Sequence, residues 1–171
     1  MSQISARREA ASNSARQHWL ARRLLDRTSL ITTHFRPTFF AEWIGWYFIR
    51  KDDQGRLRLP VGDGRHAPIA GQDQADVIAA ILENPTALDR QVCFLHGPKE
   101  MDHHGIAEAV SSTLGRPASY KPIGIDEFGE GLDRVGFPAH VTEHPQNVVD
   151  YQNGIFTGTN NWSRSSGITR P

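Results

Sequence analysis

The chain has 171 residues, a length that suits one domain and needs neither a disulfide nor a metal to fold. Its 19 basic and 19 acidic residues cancel, which argues against a dominant nucleic-acid or membrane electrostatic footprint. The single cysteine excludes an internal disulfide, and the sequence has neither a secretory signal nor an apolar run that could cross a membrane, so we expect a cytoplasmic protein.

The N-terminal part of the chain predicts the end of a strand at residues 2–5 and a long helix at residues 7–27. Helical spacing gathers its apolar side chains on one arc, made of Ala11, Ala15, Trp19, Ala21 and Leu25. His18 and Arg22, one turn apart, fall in the middle of that arc, where such groups are rare unless they are paired. They are either a ligand contact or a structural pair satisfied by a neighbouring loop.

A strand is predicted at residues 31–35, followed by an aromatic-rich helix at residues 39–51. Arg36 and Pro37 end the strand, and Thr38 is a candidate N-cap, which would leave free N–H groups at the turn. This turn is either a binding feature or a capped helix start with core aromatics. The aromatic side chains of the helix could line a substrate pocket, the core or an oligomer interface.

The remaining segments alternate between strand-like and helical patterns, which favours an α/β fold. In chain order they are an extended run at 56–60, a helix from Asp73 to about Asn84, a strand at 91–95, a helix capped by Asp102 and ended by Gly115, a strand at 118–123, a helix at 126–135 closed by Gly136, and helical residues at 138–152.

The histidines and the cysteine indicate no metal site and no hydrolase. His103 and His104 diverge by ~100° on a helix, so both cannot easily bind one ion, and no recognised ligand spacing completes the set. We interpret them as a solvated helix start. Cys93 lies in a predicted strand and is interpreted as a small core residue, and no nucleophile motif surrounds it.

An ordered set of segments resembles the C-terminal half of the NmrA-like family, atypical members of the extended short-chain dehydrogenase/reductase superfamily. Residues 2–6 resemble the fifth core strand, and His18-x-x-x-Arg22 lies where the superfamily has Tyr-x-x-x-Lys. Residues 34–42 resemble the stretch Leu-Arg-Pro-x-Phe-Phe-Met-Glu-Asn. Residues 60–65, 73–78, 97–98, 106–107 and 114–117 continue in register, so that the resemblance covers about residues 2–160.

The resemblance implies a partial Rossmann-like NAD(P)-binding fold. Residues 1–155 would be the C-terminal half of an NmrA-like domain, with residues 1–51 a remnant of the Rossmann-like sheet and residues 52–155 the substrate-side subdomain. Residues 156–171 would be a flexible tail. The glycine-rich turn Gly-x-x-Gly-x-x-Gly that holds the dinucleotide pyrophosphate in the family does not occur in this sequence. The chain is therefore expected to be truncated and to bind a dinucleotide weakly or not at all by itself.

The resemblance also implies roles for particular residues, with NADP or NAD as cofactor. His18 and Arg22 are the catalytic candidates, the cofactor-binding candidates are Ser5, Ala6, Arg36, Pro37, Thr38 and Phe39, and the substrate-pocket candidates are Phe40 and Trp43.

The expected function is that of an NAD(P)H-dependent oxidoreductase acting on quinones or similar small electrophiles, or of a redox sensor. The alternatives are a non-enzymatic interaction module, whose exposed sheet edge a homo-oligomer or a partner chain would cover, and a gene fragment without a role of its own. Residues 1–27 carry six arginines and a net charge of +4. This surface could contact DNA phosphates, but a solvated helix face or contact with the missing half is favoured.

Overall fold

Two small parallel sheets organise the chain in the computed structural model, which describes residues 4–45, 55–134, 136 and 147–159. Strand β1 (His34–Pro37) pairs with β3 (Val92–Leu95), and β2 (Arg56–Leu59) pairs with β4 (Ser119–Pro122). The named helices are α1 (Asn13–Leu25), α2 (Gly71–Glu83), α3 (His103–Leu114), α4 (Ile125–Arg134) and α5 (Asn147–Gln152). The predicted α/β class is confirmed.

Residues 66–69 cross the carboxyl ends of β1 and β3. Ile69 forms a parallel bridge with Phe40, and His66 forms an antiparallel bridge with Met101. The Gly97 amide donates to the Ala67 carbonyl at 2.9 Å, and a side chain at Gly97 would lie 1.7 Å from the Pro68 oxygen. In open α/β sheets, ligands bind outside the carboxyl ends of the strands, so a ligand of this fold class is expected near this segment.

Local capping residues determine both ends of α3, whereas a long-range contact determines the start of α2. The Asp102 carboxylate accepts the Gly105 amide at 2.7 Å to start α3, which ends at Gly115 with a left-handed φ of 64°. The residue before α2 is an alanine, which cannot cap. Instead, Glu42 accepts the Gly71 amide at 2.7 Å and so ties the helical residues 41–45 to α2.

The main core lies around the β2–β4 sheet. It is formed by Ile4, Leu57, Leu59, Val61, Ile106, Ala107, Tyr120, Tyr151 and Phe156. The Phe156 ring stacks on Tyr151 with a centroid distance of 4.0 Å, so core packing continues beyond the predicted domain boundary at residue 155. Residues 160–171 of the predicted tail lie outside the described residues.

The sequence predicted the bounds of most strands and helices within a few residues. The prediction for the N-terminal part of the chain was wrong. Residues 4 and 5 form a turn rather than a strand, and the helix predicted at residues 7–27 spans only Asn13–Leu25. The Ser12 side chain accepts the Ala15 amide and starts the helix there, while residues 4–7 are held elsewhere by side-chain contacts described below. Predictions for residues 46–54 and 137–146 lie outside the described residues. Among those described, no helix is long and apolar enough to span a membrane.

Candidate functional site

The cofactor-binding candidates from two distant parts of the sequence meet through Arg36. Its Nη2 atom donates to the carbonyl oxygens of Ile4 at 2.5 Å and Ala6 at 2.6 Å, across about 30 residues of sequence. The guanidinium also lies over the Phe94 ring, 4.9 Å from its centroid, which adds a cation–π contact. Arg36 therefore fixes the backbone around the buried Ser5 and Ala6 beside the end of β1.

A second arginine holds the same N-terminal segment from the other side. Arg7 donates to the Ser5 carbonyl at 3.2 Å and forms a two-pronged ion pair with Asp150 on α5, with N···O distances of 3.0 and 2.5 Å. Asp150 is 1% exposed, and the hydrogen bond to its carboxylate raises the pKa of Arg7. The turn at residues 4–7 is therefore clamped between β1 and α5.

Three guanidinium groups lie near one another at this rim. Burial and, to a smaller extent, the charges of Arg22 and Arg7 together lower the pKa of Arg36 to about 10. The Arg22 Nε atom is buried, with no hydrogen-bond partner among the described residues. Such a rim favours an anionic ligand, because clustered guanidinium groups repel one another until an anion binds.

The helical arc predicted around His18 and Arg22 is only partly buried. Ala15 is the buried residue of α1, whereas His18 and Arg22 are half-buried and Ala21 and Leu25 are exposed. The prediction of a buried apolar face is therefore wrong, because few described elements pack against the C-terminal half of α1. Burial lowers the pKa of His18, so its imidazole is largely neutral near pH 7. The catalytic roles of His18 and Arg22 stay predictions.

The turn after β1 differs from the predicted helix cap. Thr38 is buried, and its amide donates to the Leu95 carbonyl at 2.9 Å, which extends the β1–β3 pairing by one residue. Phe39 then accepts the Ile69 amide at 3.0 Å, and the helical residues begin only at 41. Thr38 is therefore not the N-cap, because pairing of this turn with Leu95 and Ile69 delays the helix. Pro37 is buried at the end of β1.

The two substrate-pocket candidates lie one helical turn apart. Phe40 is half-buried at its bridge with Ile69, whereas Trp43 is 42% exposed. The Trp43 amide donates to the Phe40 carbonyl at 3.1 Å, so the two residues share the first turn of the helix. Their role in a substrate pocket stays a prediction.

A pair of buried histidines lies beneath this turn, and sequence analysis missed it. His66 is fully buried and His103 is 2% exposed, with 5.1 Å between the ring centroids. Phe39 and Tyr151 each lie edge-on to His66 at 5.3 Å, and Tyr120 lies 5.3 Å from His103. The His66 ring therefore links the Phe39 turn to the main core.

Burial keeps both imidazoles neutral. It lowers the pKa of His66 to about 3 and that of His103 to about 4, while a hydrogen bond to the Gly64 backbone partly opposes the shift at His103. Neither ring nitrogen of His66 has a partner among the described residues. The prediction of a solvated helix start is thus wrong for His103 and right only for the exposed His104. Within the described ranges, no three potential metal ligands cluster.

One sequence signal could have revealed His103. It stands three, four and seven residues before Ile106, Ala107 and Val110, the apolar stripe by which α3 packs on the core. For His66 the sequence offers no such periodicity, because its burial depends on contacts with α3, α5 and the turn after β1.

Comparisons with known proteins give relatives that are longer than this chain. No protein-family model matches it. It is 24% identical over 119 residues to an NAD(P)H azoreductase of Xenophilus azovorans, covering 70% of this chain and 41% of the relative. It is 28% identical over 123 residues to Prestalk A differentiation protein A of Dictyostelium discoideum, covering 71% of this chain and 38% of the relative. The chain thus spans about four tenths of these relatives.

Solved structures share the fold over most of this chain. A nucleoside-diphosphate-sugar epimerase of Staphylococcus aureus superposes with a TM-score of 0.80 at 21% identity, covering 94% of this chain and 56% of that one. An NADPH-dependent quinone oxidoreductase of Escherichia coli superposes with a TM-score of 0.80 at 18% identity, covering 92% of this chain and 57% of that one. NmrA, a negative transcriptional regulator in complex with NAD, superposes with a TM-score of 0.60 at 11% identity, covering 88% of this chain and 48% of that one. The Rossmann-like fold of NmrA and related NAD(P)-dependent proteins is therefore confirmed.

Proposed function

We propose that this chain forms the substrate-side part of an NAD(P)H-dependent oxidoreductase that reduces quinones, azo compounds or similar small electrophiles. One observation carries the proposal: Arg36 holds the turn at Ile4 and Ala6 against the carboxyl end of β1, where α/β folds bind their ligands. The likeness to an azoreductase and to a quinone oxidoreductase supports this class of reaction.

The residues at the rim fit part of a nicotinamide nucleotide. The guanidinium of Arg22, next to Arg36 and Arg7, suits a ribose or phosphate oxygen. Ser5, Ala6, Pro37, Thr38 and Phe39 supply the adjoining surface. The bound cofactor would supply a hydride. His18, whose pKa burial lowers, can pass the proton of one ring nitrogen to the reduced substrate while its other nitrogen accepts a proton from water.

The sequence contains no element that matches the pyrophosphate part of a dinucleotide. Without the glycine-rich turn, the helix-terminal N–H groups that usually hold the most charged part of the ligand have no counterpart. The proposal therefore includes weak binding by this polypeptide alone, with a Kd above about 1 μM, equivalent to roughly −8.2 kcal/mol.

The reductase activity can be tested with menadione and a soluble azo dye at millimolar NADPH. The proposal expects loss of reduced-nicotinamide absorbance above the protein-free rate, and a slower rate for Arg22→Gln. Arg134→Gln is the matched control, because Arg134 is exposed on α4 and its contacts among the described residues are with Glu130, one helical turn away. A rate equal to the protein-free rate with a folded chain, or equal rates for both variants, would argue against the proposal.

A second candidate function is a non-enzymatic regulatory or interaction module. The exposed leucines of α1 favour it, since exposed apolar patches mark interaction surfaces. Folded protein that neither oxidises NADPH nor binds it would shift the assignment to this function.

A further inference from the structure

Two buried polar side chains follow the paired strands β1 and β3 at their carboxyl ends. Thr38 and His96 come directly after the register pair Pro37–Leu95, and they are 5% and 8% exposed. Within the described part of the chain, neither Thr38 Oγ1 nor His96 Nδ1 has a hydrogen-bond partner. Because a buried polar atom without a partner is costly, the two atoms indicate a site for a polar group from outside the chain.

This pair of side chains belongs to the same face of the sheet as the arginine rim. The register pair Arg36–Phe94 lies two residues earlier on the same two strands, and the Arg36 guanidinium lies over the Phe94 ring. Side chains two residues apart in a strand point to the same face of the sheet. A ligand held by Thr38 and His96 would therefore lie beside a ligand bound at the rim.

The backbone of residues 157–159, which we call the strap, covers His96. A Cβ atom at Gly158 would lie 3.1 Å from both Cε1 and Nε2 of the His96 ring, so the strap packs closely on the imidazole. Phe156, which precedes the strap, is part of the main core and fixes its start. The polar pair is thus closed off from solvent in part by a short backbone segment.

The strap is held at Gly158 by a contact that water can reach. The Gly158 amide donates to Glu100 Oε2 at 2.7 Å, and Arg65 donates to Glu100 Oε1 at 3.1 Å. The Gly158 amide and then Arg65 lower the pKa of Glu100, so this carboxylate is ionised at neutral pH. The Arg65 and Glu100 side chains are 48% and 26% exposed, and ion pairs near the surface contribute little stability. The strap can therefore lift without disrupting the core.

We propose that lifting the strap exposes Thr38 and His96, and that the two side chains then hold the carbonyl oxygen of a quinone. The threonine hydroxyl donates one hydrogen bond, and the imidazole with its proton on Nδ1 donates a second. Two donors on neighbouring strands suit one acceptor oxygen. This inference rests on the proposed function, because the quinone would lie beside the rim to which that function assigns the nicotinamide nucleotide.

The test uses the isotope-labelled 171-residue chain, with menadione as the quinone probe and no NADPH present. Proton–nitrogen NMR spectra report the imidazole rings, and the variants His96→Phe and His104→Gln identify two of their signals. We expect menadione to shift the His96 signal saturably and to leave that of the exposed His104 unchanged. Absence of a His96 shift would overturn the proposal. A shift of equal size with NADPH alone would overturn it as well, because it would assign the pair to the cofactor.

Substitutions should change the affinity for menadione in opposite directions. His96→Phe retains an aromatic ring and Thr38→Val retains the side-chain shape, but each removes a donor and should weaken binding several-fold. Glu100→Ala frees the strap and should strengthen binding several-fold, because the closed state then competes less with the ligand. Lys99→Ala, at the exposed neighbouring position, is the control and should have no effect.

Circular dichroism of each variant verifies the fold. Unchanged or weaker binding by Glu100→Ala would overturn the role of the strap, and unchanged binding by both His96→Phe and Thr38→Val would overturn the site. The reductase assay fails separately. A His96 shift with menadione but no oxidation of NADPH would reject the reductase function and retain the quinone site. NADPH oxidation that both donor variants leave unchanged would reject the site and retain the function.

Discussion

The Arg7 guanidinium and the buried Asp150 carboxylate form a two-pronged ion pair between residues 143 positions apart in the sequence. Asp150 is 1% exposed, whereas the Arg7 side chain is 38% exposed. A carboxylate that is shielded from water depends on its partner, since an unpaired buried charge is costly. This contact joins the turn at residues 4–7 to α5, and so joins the proposed cofactor rim to the main core.

Removing that partner should destabilise the fold. Arg7→Gln is expected to lower the free energy of unfolding by about 2 kcal/mol, less than for a fully buried pair because Arg7 is partly exposed. Urea unfolding followed by circular dichroism measures the change, with Arg8→Gln as the exposed neighbouring control. Adding Asp150→Asn to Arg7→Gln should cost little more, because the buried charge is then gone. Additive losses from the two substitutions would contradict the coupling.

Arg36 should order the N-terminal turn through a planar guanidinium that donates to two carbonyl oxygens while it stacks on an aromatic ring, which a lysine cannot reproduce. Arg36→Lys retains the positive charge, but a single ammonium group cannot occupy the same planar contacts with the Ile4 and Ala6 carbonyls and the Phe94 ring. Amide hydrogen exchange of residues 4–10 is expected to accelerate, while β2 and β4 remain unchanged. Unaltered exchange in residues 4–10 would show that other contacts hold the turn.

The His66–His103 pair should make the fold sensitive to acid. Both folded-state pKa values, about 3 and about 4, lie below the usual 6.5, so the unfolded chain binds these protons first. The stability that the neutral imidazoles contribute is therefore fully present above about pH 6.5 and is lost as the pH falls towards 4, at up to ~1.4 kcal/mol per pH unit for each histidine.

Urea unfolding across this pH range, on the wild-type chain and His66→Phe, measures the effect. The variant should show a shallower decline below pH 6.5, because one buried titrating group has been removed. His104→Gln is the matched control, since His104 is exposed and next to His103 in sequence. Identical pH slopes for the wild-type chain and His66→Phe would contradict the assignment.

Gly97 should tolerate no side chain where residues 66–69 cross the sheet ends. A Cβ atom there would lie 1.7 Å from the Pro68 carbonyl oxygen, so the backbone would have to separate. Gly97→Ala is expected to lower the free energy of unfolding by about 2 to 3 kcal/mol or more. Gly124→Ala, where no atom lies within 4 Å of the added methyl group, should have little effect. Similar losses for the two variants would contradict the close approach.

The sequence predicted the elements that local rules determine. The stop of α3 at Gly115, its cap at Asp102 and the strand at Cys93 follow from residue type and spacing, and all three are confirmed. Burial raises the pKa of the Cys93 thiol to about 11, in keeping with its interpretation as a core residue.

Other features depend on contacts between distant residues, which periodicity does not encode. The start of α1 at residue 13 reflects the anchoring of residues 4–7 by Arg36 and Asp150, more than 25 residues away. His66 is buried because elements from three parts of the chain close over it. The apolar arc of α1 was expected to be buried because helical spacing shows which residues share a face, but not whether anything packs on it.

The arginine rim at the carboxyl end of β1 is proposed to contact a nicotinamide nucleotide. The most direct measurement is a titration of the purified 171-residue chain with NADPH, followed by quenching of its four tryptophans. We expect saturable quenching with a Kd above about 1 μM, with the affinity weakened several-fold by Arg22→Gln and unchanged by Arg134→Gln. Absence of binding at millimolar NADPH by folded protein, or equal affinity of the Arg22→Gln variant and the unmodified chain, would contradict it.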